Sequence, residues 1–334
     1  AFTKPIVKSY IDSLEESLHA KGSRGQLFIM NSSGGMMTTD YAKSQPVHMV
    51  ESGPAAGIIG AVELGKTIGV QDLISFDMGG TTAKSGVIYQ GNPLTTGCAL
   101  IGGYDRALPV QVAMMDIFEV GTGGGSIAGI GEGGSLHVGP ESAGAVPGPA
   151  CYGLGGTEPT VTDANLVLGR LAADRFLSGE MTLNSHAAEQ AIRKKIADPL
   201  DMTVTEAADG ILRIASTTMS YAVKAVTTER GLDAASFAMV AMGGAGPLHA
   251  SLVAREIGMK QIIIPESPGH FSAFGMLFSD LRYDYVQTSP ARLADASFED
   301  FEVIYKTMEK AGHAAIERTS ITVGEIIVTR SADM

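Results

Sequence analysis

Asp77-Met78-Gly79-Gly80-Thr81-Thr82 brings a carboxylate, two glycines and two hydroxyls into one short stretch. The glycines let backbone N–H groups approach an anion with no Cβ in the way. Thr81 and Thr82 add hydroxyl donors, and Asp77 can hold a hydrated cation or orient a water. Such a turn suits phosphate and magnesium. The same letters fit an ordinary glycine hairpin that Asp77 merely caps, and on this stretch alone the two readings are evenly matched. Two more glycine clusters follow apolar runs. Gly123, Gly124 and Gly125 come after Val120, with Asp116 and Glu119 just upstream. Gly243-Gly244-Ala245-Gly246-Pro247-Leu248-His249 comes after Met242, in the order strand, glycine turn, helix N-terminus that favours an anionic ligand. For His249, ligand contact and a helix-start bond to the backbone are evenly matched.

Two motif matches fail on context. Gly60-Ala61-Val62-Glu63-Leu64-Gly65-Lys66-Thr67 spells the P-loop pattern, but it closes a helix and precedes a strand, the reverse of what the mechanism requires. Gly129-Ile130-Gly131-Glu132-Gly133-Gly134 spells a dinucleotide fingerprint, but strand-like Ser135-Leu136-His137-Val138 follows it, so a glycine hairpin is expected. Cys151 could serve as a nucleophile only with partners that the sequence does not supply, and a buried structural thiol is favoured. His137, His186, His270 and His313 read as surface or satisfied histidines, and Glu229-Arg230 as a solvated helix end that could reach a ligand.

The elements that must position these turns read as alternating α and β. Helical spacing covers residues 4–21, and a strand over residues 26–30 opens onto Asn31-Ser32-Ser33-Gly34-Gly35, a connection or binding loop. A short strand is expected at residues 47–50, then a small-residue helix from Ser52 to about Thr67. Strands flank the acidic turn, strands and hairpins fill residues 86–112, and residues 139–160 form a long ordered loop. Helices are expected from Thr160 through Leu171, over residues 185–196, and from Thr205 to near Gly231. Residues 237–242 form a buried strand, residues 250–257 a helix, residues 261–264 a strand, and residues 272–277 a second small-residue helix. A helix over residues 298–316 and a strand over residues 322–329 complete the chain.

Composition narrows the function. With 334 residues there is room for two domains, and 45% hydrophobic residues supply a sizeable core. A formal net charge of −12 argues against nucleic acid and against an anionic membrane surface. No apolar run is long enough to span a bilayer. The two cysteines, Cys98 and Cys151, have no partners at metal-ligand spacing, which fits a reducing, cytoplasmic compartment.

The order of the turns and small-residue helices resembles the actin, sugar-kinase and heat-shock chaperone superfamily. Residues 74–88 are similar to its second phosphate motif, residues 239–249 to its adenosine motif and residues 51–60 to its connecting helix. In detail the chain resembles the hydantoinase A/5-oxoprolinase family. The likeness is carried by Ser52-Gly53-Pro54-Ala55-Ala56-Gly57, Phe76-Asp77-Met78-Gly79-Gly80-Thr81-Thr82-Ala83-Lys84 and Gly123-Gly124-Gly125-Ser126-Ile127-Ala128. Pro147-Gly148-Pro149-Ala150-Cys151-Tyr152-Gly153, Pro159-Thr160-Val161-Thr162-Asp163-Ala164-Asn165 and the turn at Gly243 extend it over nearly the whole chain.

The resemblance implies an α/β, actin-like (ribonuclease H-like), two-lobed ATPase fold with an incomplete first lobe. Residues 1–70 would be the remainder of that lobe and its connecting helix. Residues 71–270 would be the second lobe, and residues 271–334 a return helix and the start of a truncated C-terminal region. It implies ATP and Mg2+ as cofactors and activation of a lactam or cyclic imide carbonyl for hydrolysis. The alternatives are a subunit of an ATP-dependent ketone carboxylase and a non-catalytic nucleotide-binding scaffold. Asp77 would be the catalytic and metal residue. Gly79, Gly80, Thr81, Thr82, Gly123, Gly124, Gly125, Gly243, Gly244, Gly246 and His249 would bind the nucleotide. A small cyclic amide or ketone substrate, a hydantoinase B-type partner subunit or fused domain, and an oligomer are implied too. Family members begin with a further acidic glycine motif that does not precede Ala1. The chain is therefore expected to be an internal fragment that binds ATP weakly by itself.

Overall fold

The computed structural model describes residues 2–97, 99–101, 108–292, 297–319 and 321–332. Cys98 and part of the hairpin region expected over residues 86–112 lie outside them. The chain divides into two compact units: Ala1–Ala55, Thr95–Met115 and Ser279–Met334 form one, Ala56–Leu94 and Asp116–Phe278 the other.

In the first unit the helix Lys4–Ala20 buries Ile11 against Met37 and Ala42. The strands Phe28–Met30 and Met36–Thr38 pair antiparallel around residues 31–35. That loop is tied inward. The Asn31 side-chain carbonyl accepts from the Ser33 and Gly35 N–H groups at 3.0 and 2.9 Å, and Asn31, Ser32 and Ser33 are all buried. Residues 47–50, expected as a strand, lie mostly in a 3-10 turn, Pro46–Met49. Proline at its start fixes φ and removes a ladder donor, so a turn is the better use of four residues. The helix Phe298–Glu317 matches its expected span, and the Ser297 hydroxyl accepts the Asp300 N–H at 3.3 Å as its cap. The strand expected over residues 322–329 is absent. That exposed segment has no pairing partner among the described residues, and β-branched residues make a strand only against a neighbour.

The second unit is built on a twisted sheet whose strands lie in the order Ile117–Val120, Ala83–Tyr89, Leu73–Met78, Ala238–Met242 and Gln261–Ile263, with Asn92–Pro93 paired at one edge. Ala83–Tyr89 is antiparallel to both of its neighbours, Ile117–Val120 and Leu73–Met78; the last two strands run parallel to Leu73–Met78 and to each other. All five residues of Ala238–Met242 are buried, as a parallel strand covered on both faces requires. The helix Val204–Thr228 packs its Ile211, Met219 and Val223 face onto the core of Ile74, Phe76 and Met78. It begins in a capping box: the Glu206 carboxylate accepts the Thr203 N–H at 2.8 Å while the Thr203 hydroxyl accepts the Glu206 N–H at 3.2 Å.

Other boundaries shift for local reasons. The helix Val161–Val167 stops before Leu171 because Gly169, at φ +68°, turns the chain back, and the Arg170 N–H bonds the Asn165 carbonyl at 2.9 Å. The helix Ser185–Ile192 passes into a π turn, Arg193–Ala197, ahead of Pro199. The helix expected from residue 250 starts at Gly246, with Pro247 in its first turn, where the missing N–H costs nothing. The small-residue helices Ser52–Ile68 and Phe271–Met276 pass so close that a Cβ on Gly275 would overlap the Ala56 carbonyl.

Candidate functional site

The acidic turn joins Leu73–Met78 to Ala83–Tyr89 at the carboxyl end of Leu73–Met78. It closes through the Gly79 N–H, which donates to the Thr82 carbonyl at 3.1 Å. Gly79, Gly80 and Thr81 are exposed, and a Cβ on Gly79 or Gly80 would meet nothing within 4 Å. Among the described residues the Gly80 and Thr81 N–H groups meet no protein acceptor. This is an open, donor-rich turn.

Met242 pairs in register with Asp77 on the neighbouring parallel strand, so the chain's third glycine turn begins beside the carboxylate. Gly243 has φ +82°, and a Cβ there would overlap both Asp77 Oδ1 and the Met78 carbonyl. Only glycine fits. The Ala245 N–H donates to the Met78 carbonyl at 2.9 Å and the Gly243 N–H to Pro268 at 2.9 Å, which fixes this turn against the acidic one. Gly244 is exposed and open, and Gly246, buried near the Phe76 carbonyl, starts the helix Gly246–Ile257. The site thus gathers Asp77, Gly79, Gly80, Thr81, Thr82, Gly243, Gly244 and a helix N-terminus at the carboxyl ends of two parallel strands. That is where open α/β sheets bind ligands.

Gly123, Gly124 and Gly125 lie underneath. They are buried, and their N–H groups donate to Ser126 Oγ at 2.9 Å, Gly79 O at 3.1 Å and Gly80 O at 2.6 Å. A Cβ on Gly123 would lie 2.5 Å from the Thr81 nitrogen. With its donors committed, this loop buttresses the acidic turn from below. Thr162 in turn holds the loop, its hydroxyl and its N–H both donating to the Gly124 carbonyl at 2.8 Å.

His249 sits behind the site. It is fully buried on Gly246–Ile257, and its Nε2 lies 3.1 Å from Asn165 Nδ2, which also donates to the Val161 carbonyl at 2.9 Å. An amide nitrogen can only donate, so Nε2 is the acceptor and the ring proton is on Nδ1. Burial, with a smaller contribution from Arg170, lowers its pKa to about 4, so the ring is neutral at physiological pH. It packs the helix rather than facing the open turn.

Other sequence candidates fall elsewhere. Arg230 binds Asp116 at 2.6 Å. By strand register the pair lies about 13 Å from the acidic turn, at four residues of roughly 3.3 Å rise. Lys66 pairs with Glu63 on one helix face, and the Thr67 hydroxyl bonds the Glu63 carbonyl, so the P-loop match is plain helix. Residues 129–134 run from the end of the strand Ser126–Ile130 into the turn that pairs it antiparallel with Leu136–Ser142, the expected hairpin. Cys151 is buried, its thiol pKa pushed far up by burial and by Asp163. Its N–H is one of four donors to the buried Asp163 carboxylate, with those of Ala150 and Thr160 and the Thr160 hydroxyl. Neither Asp163 nor Thr162 stood out in the sequence as part of the site's support, although Thr160-Val161-Thr162-Asp163 is a legible cap. A separate open cavity of about 470 Å³, near Asp72, Phe237 and Lys260, lies at the amino ends of the parallel strands, away from the turns. Among the described residues no group of three or more His, Cys, Asp or Glu could hold a metal. No helix among them is long and apolar enough to cross a membrane.

The model of the family described as Hydantoinase/oxoprolinase matches residues 1–285. The chain is 37% identical over 310 residues to the caprolactamase subunit alpha of Pseudomonas jessenii, covering 93% of this chain and 44% of that subunit. It is 35% identical over 319 residues to the acetophenone carboxylase gamma subunit of Aromatoleum aromaticum, covering 95% of this chain and 43% of that one. The crystal structure of the ATP-dependent caprolactamase from Pseudomonas jessenii superposes with a TM-score of 0.79 at 35% identity, covering 96% of this chain and 46% of that one. The fold is α/β and actin-like. The chain spans less than half the length of these relatives.

Proposed function

Because the chain belongs to the hydantoinase/oxoprolinase family, we propose that it is the ATP-binding portion of an ATP-dependent enzyme that activates a lactam or cyclic imide carbonyl for opening by water. One observation carries the reading: Asp77, the unpaired donors of the acidic turn and the Gly243 turn meet at the carboxyl ends of two parallel strands. The open space over Gly79, Gly80 and Gly244 suits a phosphate chain. The Gly80 and Thr81 N–H groups and the two threonine hydroxyls would take phosphate oxygens. Asp77 would hold magnesium, which commonly uses one or two carboxylates, water and the phosphates themselves. Gly243, Gly244 and Gly246 would border the nucleoside, while Gly123, Gly124, Gly125 and His249 would hold these turns in place from behind.

An amide is a poor electrophile, and ATP, when bound, supplies a phosphoryl group that makes its oxygen a better leaving group. The chain's own task is positioning and charge neutralisation, the main demands of phosphoryl transfer. A second reading, a ketone carboxylase subunit, is supported almost equally, by the 35% identity to the acetophenone carboxylase gamma subunit. Both relatives are named as subunits, so we include a hydantoinase B-type partner, or the equivalent fused domain, in an oligomeric assembly.

The test is isothermal titration of the full-length protein with Mg-ATP, then ADP release in the presence of its partner. Stimulation by oxoproline, hydantoin or caprolactam is expected, with Asp77→Asn reducing it at least 100-fold. Stimulation only by acetone or acetophenone with bicarbonate would transfer the assignment to the carboxylases. Binding without any stimulation would leave a nucleotide-binding scaffold. Absence of binding would sink the reading.

A further inference from the structure

Asp77 has a neighbour whose charge bears on how the site can work. Leu73–Met78, Ala83–Tyr89 and Ile117–Val120 are successive antiparallel strands, and their registers set Asp77 opposite Lys84 and Lys84 opposite Glu119. Residues directly opposite in an antiparallel ladder share a face, with Cβ atoms about 4.5–5.5 Å apart. The three side chains therefore form a row, acid, lysine, acid, running outward from the carboxylate that abuts Gly243. Lys84 Nζ lies 3.5 Å from Glu119 Oε1, the lysine side chain 20% exposed and the glutamate 42%. The half-buried lysine is held in this row from its outer side by Glu119.

We propose that Lys84 is a positioning residue for the nucleotide, acting through Asp77 by balancing the charge of this row. The inference rests on the ATP reading above. A polyanion approaching a carboxylate is repelled unless that charge is offset, and a second carboxylate in the same row doubles the problem. With Lys84 the row carries a formal charge of −1; without it, −2. Glu119 anchors the ammonium in the row, beside Asp77, rather than releasing it to a phosphate oxygen. The row's charge thereby sets how much divalent cation the nucleotide must bring with it.

This differs from direct phosphate contact in a measurable way. Mg-ATP affinity of the full-length protein is measured by isothermal titration at several magnesium concentrations, with circular dichroism and melting to confirm folding. Lys84→Met is expected to weaken binding at least tenfold and steepen its dependence on magnesium, and Lys84→Arg to stay within about threefold of the parent. The double variant Lys84→Met with Glu119→Gln returns the row to −1 and is expected to recover most of the lost affinity. A double variant as weak as Lys84→Met alone would mean that the ammonium touches phosphate directly, and the proposal would be overturned. Unchanged affinity in Lys84→Met overturns it too. If the parent protein binds no Mg-ATP, the nucleotide reading itself falls and takes this inference with it.

Discussion

At the scale of single residues, His249 shows how a conspicuous side chain can serve a site without facing it. Its neutral ring accepts from Asn165 and helps fix the helix that carries the Gly243 turn. Its folded pKa of about 4 lies below the ordinary value of 6.5, so the unfolded chain binds the proton more readily than the folded one. Stability from this residue is complete above pH 6.5 and is lost progressively as pH falls toward 4. The full difference is on the order of 3 kcal/mol at 1.36 kcal/mol per unit. Urea unfolding at pH 7.0 and 5.0 should therefore show a larger loss in the parent than in His249→Gln, whose amide cannot titrate. Equal losses would mean that the buried ring is not what the acid attacks. The sequence presented His249 as an even choice, since the residue following a glycine turn can point either way. Only the packing of Asn165 against it decides.

At the scale of elements, the acidic turn is held by a stack: turn, glycine loop, helix N-terminus. Residues 79–81 rest on residues 123–125, and residues 123–125 hang from Thr162 at the start of Val161–Val167. The close approach of Gly123 to the Thr81 backbone makes this joint intolerant of a side chain. Gly123→Ala should cost about 1–3 kcal/mol as overpacking against backbone. It should also weaken Mg-ATP binding, because the atoms that must give way belong to the turn. Thr162→Val is the milder variant, removing one of two bonds to the Gly124 carbonyl for about 0.5–1.5 kcal/mol. Thermal melts together with nucleotide titration check both; a Gly123→Ala protein that melts lower yet binds nucleotide normally would detach the loop from the site. Most elements here were legible because each declares itself locally: small residues and Ser52 for one helix, Thr205, Glu206 and the apolar period after them for another (whose cap proves to be Thr203), apolar runs for the strands. The stack was not. Gly123, Gly124 and Gly125 have the composition of an anion loop, and nothing in their order reveals that their N–H groups are already committed to residues 79, 80 and 126. The partnership of Lys84 with Glu119 was hidden likewise, since a cross-strand pair is set by register across a long connection.

At the scale of the whole molecule, the two units differ in what holds them. The second surrounds its sheet with a continuous core from Ile74 through Met219 to Val253. The first has a core centred on Ile11, Met37 and Ala42, and leaves Ile6, Tyr10, Phe298 and Val303 exposed on its helices. The strand misread at residues 322–329 belongs to this unit, where apolar β-branched residues lie exposed without a ladder. Local propensity was visible there; the missing neighbour was not. Segments with few buried contacts open at low free energy, and they set where a protease first cuts. Limited chymotrypsin digestion should therefore release peptides from residues 279–332 and from the first 20 residues well before it touches residues 116–278. A resistant fragment retaining the sheet should accumulate, identified by mass spectrometry. The long helix Val204–Thr228, with twelve buried residues, should lie intact within that fragment. Added Mg-ATP should slow cleavage of the fragment further, since a ligand bound to the folded state protects by mass action. Early cutting inside residues 204–228 would contradict the core assignment, because even the exposed Tyr221 side chain stands on a helix whose backbone must unwind and leave the core before the bond beside it can be cut.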